Sequence, residues 1–426
     1  MAMYATETVH DPTGAYVNSL IQDVSNVNYP AISSIKSTLS AGNEQGQILG
    51  AISAIQSLAS GIGPAIFQGL FSVSLEEDAP FRPSFVWWVG IFIMGTAVLL
   101  AFTVPDPRHA RAEQERAKAE AQGLDPPPPF TPPPSLRVRV ERWTTLPPDI
   151  PRRAYKLYAM LMVYQIVNIL GFSLPSPLLI FAQTKFFNDN HDCITPEQTE
   201  SKGCTEAVGR VAETMASASF VQSIMSLWLS PVIGRVSDSI GRRKVMALSM
   251  LPNFFQYLFL SLWAVTNGGF SFWFYYAASA VPSFSFTMGN AYVADIMPGK
   301  YRATFFSFNS AVFSLVSIPA AAIAGMFDHI MWPAILAFSC QVIGLLWALF
   351  AITETLPDDE RRPFDWKDKT ELMEVANAFK QMKIVNRNPI FRRLALTLLL
   401  SSACSYGMYN LQTVYFRQEL EFTKDN

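Results

Sequence analysis

Charged side chains are scarce in this chain: Asp, Glu, Lys and Arg make up 15% of 426 residues and nearly cancel, to a net charge of −2. With no basic excess, a nucleic-acid partner is excluded. Histidine and cysteine are scarcer still, at four each. His191 and Cys193 share one polar segment with Cys204, but two thiols and one imidazole lack a fourth ligand, so no metal site is expected. No nucleophile–base pair and no phosphate-binding loop occurs, which leaves enzyme activity and a cofactor without support. Residues 1–38 are interrupted by Asp11, Asn18 and Asp23, so a cleavable signal sequence is not expected and insertion would rely on internal helices. The long apolar stretches carry no acidic residue near their middles. Glu213 and Asp295 lie near opposite ends of theirs, so proton coupling has no evident carrier.

Apolar residues take the place of charge. Half of the chain is hydrophobic and 13% is aromatic. Nine stretches are long enough to span a bilayer: 45–73, 84–104, 154–181, 211–233, 245–266, 270–294, 304–327, 332–353 and 392–416. Each should be helical, because lipid offers no water to an unpaired backbone group. The expected class is an all-α polytopic membrane protein with the lipid bilayer as its first partner. Loop charges alternate in sign. Segment 74–83 holds Glu76, Glu77 and Asp78, whereas 106–153 holds Arg108, Arg111, Lys118, Arg137, Arg139 and Arg142 among others. The positive-inside rule puts the first outside and the second in the cytoplasm, together with 234–244, 296–303 and 354–390. Segment 188–210 has Lys202 and Arg210 as its only Lys or Arg residues and should face the lumen or the exterior. There Cys193 and Cys204 can close a disulfide, with two free thiols as the alternative.

The cytoplasmic linker has an Ala/Glu/Arg/Lys run over 108–122, prolines at 126–129 and 132–134, then a basic stretch. This texture suits part helix and part polyproline spacer, with recognition by a proline-binding partner as a weaker alternative. In the second cytoplasmic stretch, Trp366, Leu372, Val375, Phe379 and Met382 recur at near-helical spacing, as in an amphipathic helix lying on the membrane. Between the fourth and fifth apolar stretches runs Gly-Arg-Val-Ser-Asp-Ser-Ile-Gly-Arg-Arg-Lys, residues 234–244. Read as a polar loop, its glycines Gly234 and Gly241 permit a tight reversal. Asp238 can accept from a helix N-terminus, and Arg242, Arg243 and Lys244 hold the loop in the cytoplasm. An ordinary basic turn is the plainer reading.

That run resembles the gating loop of the major facilitator superfamily, and the tetracycline-resistance-like and hippocampus-abundant-transcript-like branch is most similar. Further matches follow in family order. Gly-Phe-Ser-Leu-Pro-Ser-Pro at 171–177 falls in the first family helix, Asn-Ala-Tyr-Val-Ala-Asp-Ile at 290–296 ends the fourth, and Gly-Lys-Tyr-Arg-Ala follows at 299–303. The resemblance implies a complete first six-helix bundle with only part of a second, about nine spans in all. Motifs in 29–34, 44–47, 61–64 and 80–86 resemble the last two family helices, so the order looks circularly permuted. The expected organisation is a polar N-terminal segment with a faint partial helix (1–41), a pair equivalent to the last two helices (42–104), a cytoplasmic Pro-rich basic linker (105–153), the six-helix N-bundle (154–353), a cytoplasmic central loop with an amphipathic helix (354–391), and the seventh helix with a tail (392–426). The implied function is secondary transport of a small organic solute by alternating access, with or without a coupling ion. The alternative is an incomplete or fused, non-transporting paralogue. The oligomeric state stays open.

By the resemblance, the gate unites Gly234, Asp238, Gly241, Arg242, Arg243 and Lys244 with Glu44, Gln45 and Gly46 at the start of the eleventh-helix equivalent. Asp295 and Arg302 at the end of the fourth helix complete it. Polar residues inside the spans are candidates for a solute cavity: Tyr164, Gln165 and Asn168 on one helical face with Phe172, then Gln222, Ser226, Gln256, Asn290, Tyr409, Asn410 and Gln412. Interhelical hydrogen bonding is the competing role for each.

Overall fold

A computed structural model describes residues 45–75, 78–104, 150–191, 193, 201–327, 329–356, 377 and 389–419. Among these, every regular element is a helix. In chain order they are α1 (Gln45–Ser74), α2 (Phe85–Phe102), α3 (Arg152–Ser173), α4 (Ser176–Phe187), α5 (Lys202–Ile240) and α6 (Arg242–Ser249). Then come α7 (Leu251–Val265), α8 (Trp273–Ser279), α9 (Ser285–Ile296), α10 (Gly299–Gly325), α11 (Met331–Phe350) and α12 (Pro389–Glu419). The first 44 residues and most of 105–153 and 354–391 lie outside the described residues, and with them Glu44, the proline runs and the expected amphipathic helix.

Each of the nine apolar stretches contains a helix or a helix pair. By length and composition, Phe85–Phe102, Arg152–Phe187, Arg242–Val265, Thr304–Gly325 and Met331–Phe350 suffice to cross a membrane. A sixth span is reached if Lys202–Ser230 and Val232–Ile240, bent by 46°, count as one. Proline explains the breaks. Pro231 stands at the bend in α5, and Pro282 stands in the gap that splits 270–294 into α8 and α9, because each lacks an N–H for the helical ladder.

Helices α3 to α11 form one body with two apolar cores. One core gathers Leu161, Tyr164, Val236, Met246, Met250, Met288 and Tyr292. The other gathers Tyr257, Leu260, Trp263, Phe272, Tyr275 and Tyr276. A second, smaller group is made from both ends of the chain, where α12 packs against α1 and α2. The Cys404 thiol donates to the Gly90 carbonyl at 3.4 Å across 314 residues of sequence. Trp87 meets Tyr415 edge-on with ring centroids 5.1 Å apart. In lipid such helices gain little from leaving the solvent and depend on close packing. Gly63 and Gly407 supply it: a Cβ on Gly63 would strike the Ala403 carbonyl, and one on Gly407 would strike the Phe67 ring.

Helix α1 also joins this group to the larger one, lying antiparallel along α5. Ala54 packs with Leu227, the Ser60 and Ser223 hydroxyls are 3.0 Å apart, and Ser72 Oγ lies 3.9 Å from where a Cβ on Gly209 would stand.

Candidate functional site

At one end of the larger body, three helices are tied through one guanidinium and a fourth through a carboxylate. The expected loop is helical over most of its length. Gly234 is an interior residue of α5 facing open space, so it permits no reversal there, and the chain turns only at Gly241. That residue has φ 102° and ψ 150°, a region open essentially to glycine alone. Asp238 therefore stands in the last turn of α5, one turn before Arg242, and pairs with it at 2.7 Å instead of capping the helix that follows. Arg242 Nε donates to Asp295 Oδ2 on α9 at 3.0 Å, and Nη1 donates to Ser237 Oγ at 2.8 Å. The side chain of Arg242 is 13% exposed against 24% for Asp295 and 41% for Asp238. The Asp295 contact is thus the better shielded of the two pairs.

The N-terminus of α6 is capped by Glu354, just beyond α11. Its carboxylate accepts from the backbone N–H of Arg242 at 2.9 Å and of Arg243 at 3.2 Å. It also accepts from Thr355 and Leu356 at 3.1 and 3.2 Å. Two otherwise free donors of α6 are satisfied by a negative group where the helix dipole favours one. Thr355 Oγ1 donates to Asp295 Oδ2 at 3.2 Å, and the Arg243 guanidinium contacts the Leu349 carbonyl. The ends of α5, α6, α9 and α11 thus form one polar knot. Arg302 donates to the Met297 carbonyl at 3.1 Å, and Lys244 is exposed. Gln45 and Gly46 open α1, with side chains outside the described residues.

At the opposite end of α5, Cys193 and Cys204 are joined by a disulfide. The Asn188 amide donates to the His191 carbonyl at 3.3 Å and lies 3.2 and 3.5 Å from the two sulfurs. This fastens the end of α4 to the start of α5.

Between these ends lies a cavity of about 260 Å³ where α3, α4, α5, α7, α8 and α12 meet. Phe172, Gln222, Gln256 and Tyr409 line it. Several other candidates point elsewhere. Tyr164, Gln165 and Asn168 are buried on the face of α3 turned into the larger body, where the Gln165 amide abuts Gly289 and the Asn168 amide lies 3.9 Å from the Met250 sulfur. Asn290 accepts from the Asn309 amide at 3.0 Å, joining α9 to α10. Ser226 and Gln412 are outside the lining, and the Asn410 side chain is outside the described residues. The lining instead adds Gln183, Asn253, Tyr275 and Tyr276. Ser176, Leu179, Ile180 and Gln183 follow an i, i+3, i+4, i+7 pattern, a helical-face signal that would have found Gln183.

A family model described as Major Facilitator Superfamily matches residues 159–425. Hippocampus abundant transcript 1 protein of Mus musculus is 27% identical over 212 residues, which is 48% of this chain and 41% of that protein. The tetracycline resistance protein, class C, of Escherichia coli is 30% identical over 146 residues, 33% of this chain and 35% of that one. The crystal structure of the human organic anion transporter MFSD10 (TETRAN) aligns with a TM-score of 0.43 at 19% identity over 57% of each chain. The chain spans about two fifths of the length of the hippocampus abundant transcript relatives it matches.

Proposed function

The chain belongs to the major facilitator superfamily and is an integral multi-pass membrane protein, and on that premise we propose that it moves a small organic solute across its membrane by alternating access. The observation that carries this reading is the cavity, whose wall draws on α4, α5, α7 and α8 of the larger body and on α12 of the smaller group. A relative motion of the two groups would open and close such a site. The knot around Arg242 acts as the latch at one end, since it holds four helix ends of the larger body in the shape against which the start of α1, and with it the smaller group, seats. Loss of those contacts biases the equilibrium between two access states without touching the solute.

The register of α1 supports the latch reading. The residue numbers of the pairs Ala54 with Leu227, Ser60 with Ser223 and Ser72 with Gly209 sum to 281–283. At that register the first residue of α1 falls level with residues 236–238, around Asp238. The helix dipole there favours a carboxylate. The domain organisation we propose is accordingly a six-helix body from 154–353 and a partial second bundle built from 42–104 and 392–426.

The test is uptake of labelled solutes by proteoliposomes containing the full chain, with Asp238→Asn as the variant. Saturable uptake that changes several-fold in the variant while binding persists supports the latch. Unchanged uptake removes it. A second reading, a fused and non-transporting paralogue, is favoured by the small second group, which has three helices among the described residues. It predicts binding without uptake, and two separate transcripts meeting near 126–134.

A further inference from the structure

We infer that the cavity takes an uncharged, hydrogen-bonding solute and rejects ions of either sign. This rests on the reading of the cavity as the solute site and adds what that solute must be. Among the described residues, the lining contains no Asp, Glu, Lys, Arg or His. An ion entering would leave water without a countercharge in a wall set within apolar helices, at a cost of several kcal/mol. The wall offers amides instead, Gln183 from α4, Gln222 from α5 and Gln256 from α7. Each amide presents both donors and an acceptor, which matches neutral polar groups and neutralises no charge.

The kink between α3 and α4 is the one place where backbone could favour an anion. Leu174 and Pro175 keep right-handed helical dihedrals there. The Leu178 N–H is used by the Pro175 carbonyl at 3.1 Å, and Pro177 has no N–H. At most the Ser176 N–H remains, which does not make an anion nest.

An aromatic wall bounds the site. Tyr275 and Tyr276 meet edge to face, with ring centroids 5.7 Å apart and an interplanar angle of 73°, and at 5% exposure each they line the cavity without opening a ring face to it. Gln256 Nε2 donates to Tyr275 Oη at 3.1 Å, leaving that hydroxyl its own proton to give. The buried Tyr276 hydroxyl has Gln183 beside it but completes no hydrogen bond of normal geometry. A solute carbonyl or hydroxyl would satisfy it. The volume admits one or two rings.

The experiment uses the full chain in detergent and measures equilibrium binding of two matched sets, benzamide with benzoate and benzamidine, and uridine with uridine 5′-monophosphate. Members of a set share a ring and differ chiefly in charge. At least one neutral member should bind saturably, with its charged counterparts weaker by roughly thirtyfold or more. Gln222→Glu should raise benzamidine affinity at least about tenfold relative to benzamide, and Tyr276→Phe should weaken the bound neutral member several-fold while the protein stays monodisperse. A charged member binding as tightly as its neutral counterpart overturns the inference, as does the absence of saturable binding by both neutral probes. Binding of neutral members without uptake leaves the inference standing and removes transport. Uptake of benzoate or benzamidine does the reverse.

Discussion

Glu354→Ala should loosen the Arg242 end of the molecule more than any other single carboxylate change. Its two bonds to the Arg242 and Arg243 N–H groups join the end of α11 to the start of α6 across 112 and 111 residues of sequence. Charge-assisted bonds of this kind contribute roughly 1.5–3 kcal/mol each. Glu354 is half-buried, so water recovers part of that on removal, and the net loss should be about 2 kcal/mol. At 1.4 kcal/mol per tenfold, the opened state gains about thirtyfold in population. A cysteine at Val236, which is 4% exposed in the core beneath the knot, reports this as its alkylation rate in a Cys340→Ser background. Glu354→Gln keeps one neutral acceptor and should lose about 1 kcal/mol, giving a rise of about fivefold. Equal rates in the parent and both variants, with a faster rate in Arg242→Ala, would show that the guanidinium alone holds the end and that the cap is incidental.

Two further outcomes follow from the packing. Gly63→Ala and Gly407→Ala should each lower the melting temperature of the detergent-solubilised protein, because the Cβ meets the Ala403 backbone in one case and the Phe67 ring and Gly63 backbone in the other. Overpacking of this sort costs about 1–3 kcal/mol. Gly69→Ala, on the same helix with nothing within 4 Å of its Cβ, should leave it unchanged or raise it slightly; equal losses at all three sites would refute the close-approach argument. The paired change Ser60→Cys with Ser223→Cys should oxidise to a disulfide within one chain, since the two hydroxyls lie 3.0 Å apart. Failure to cross-link under mild oxidant would mean that α1 does not lie along α5.

The sequence patterns read well wherever a local rule fixes the outcome. The apolar stretches had to be helical, and the family model covers the matches at 171–177, 234–244, 290–296 and 299–303, while those at 29–34, 44–47, 61–64 and 80–86 lie outside its range. Local rules failed where an outcome depended on a distant partner. Gly234 has the same conformational freedom in a loop and in a helix interior, and only the continuation of α5 decides between them. Glu354 sits at the end of an apolar run, where an acid usually meets solvent, and its partners are more than a hundred residues upstream. Periodicity put Tyr164, Gln165, Asn168 and Phe172 on one face, of which the first three are buried and Phe172 is exposed. It could not say that the face meets α9 and Met250 while Phe172, further along the same helix, meets the cavity.

Helix packing is blind to chain order, and that bears on whether a second group assembled from both ends can work. Along α12, Ala403 approaches Gly63 and Gly407 approaches Phe67, while Tyr415 meets Phe71, so α1 and α12 run parallel. Their first residues then lie at the same end as the Arg242 knot, given the antiparallel run of α1 along α5. Helix α2 returns to that end, where Arg393 donates to the Thr103 carbonyl at 2.6 Å. Helix α3 starts there too, with Ile150 and Ala154 in the same core as Val236. The segment between α2 and α3 therefore has both anchors on one side and need not cross the bilayer. At about 3.3–3.6 Å per residue it has ample reach. A permuted order would demand of the chain a linker of sufficient length on one face, and of the packing a seam as close as the one that Gly63 and Gly407 allow.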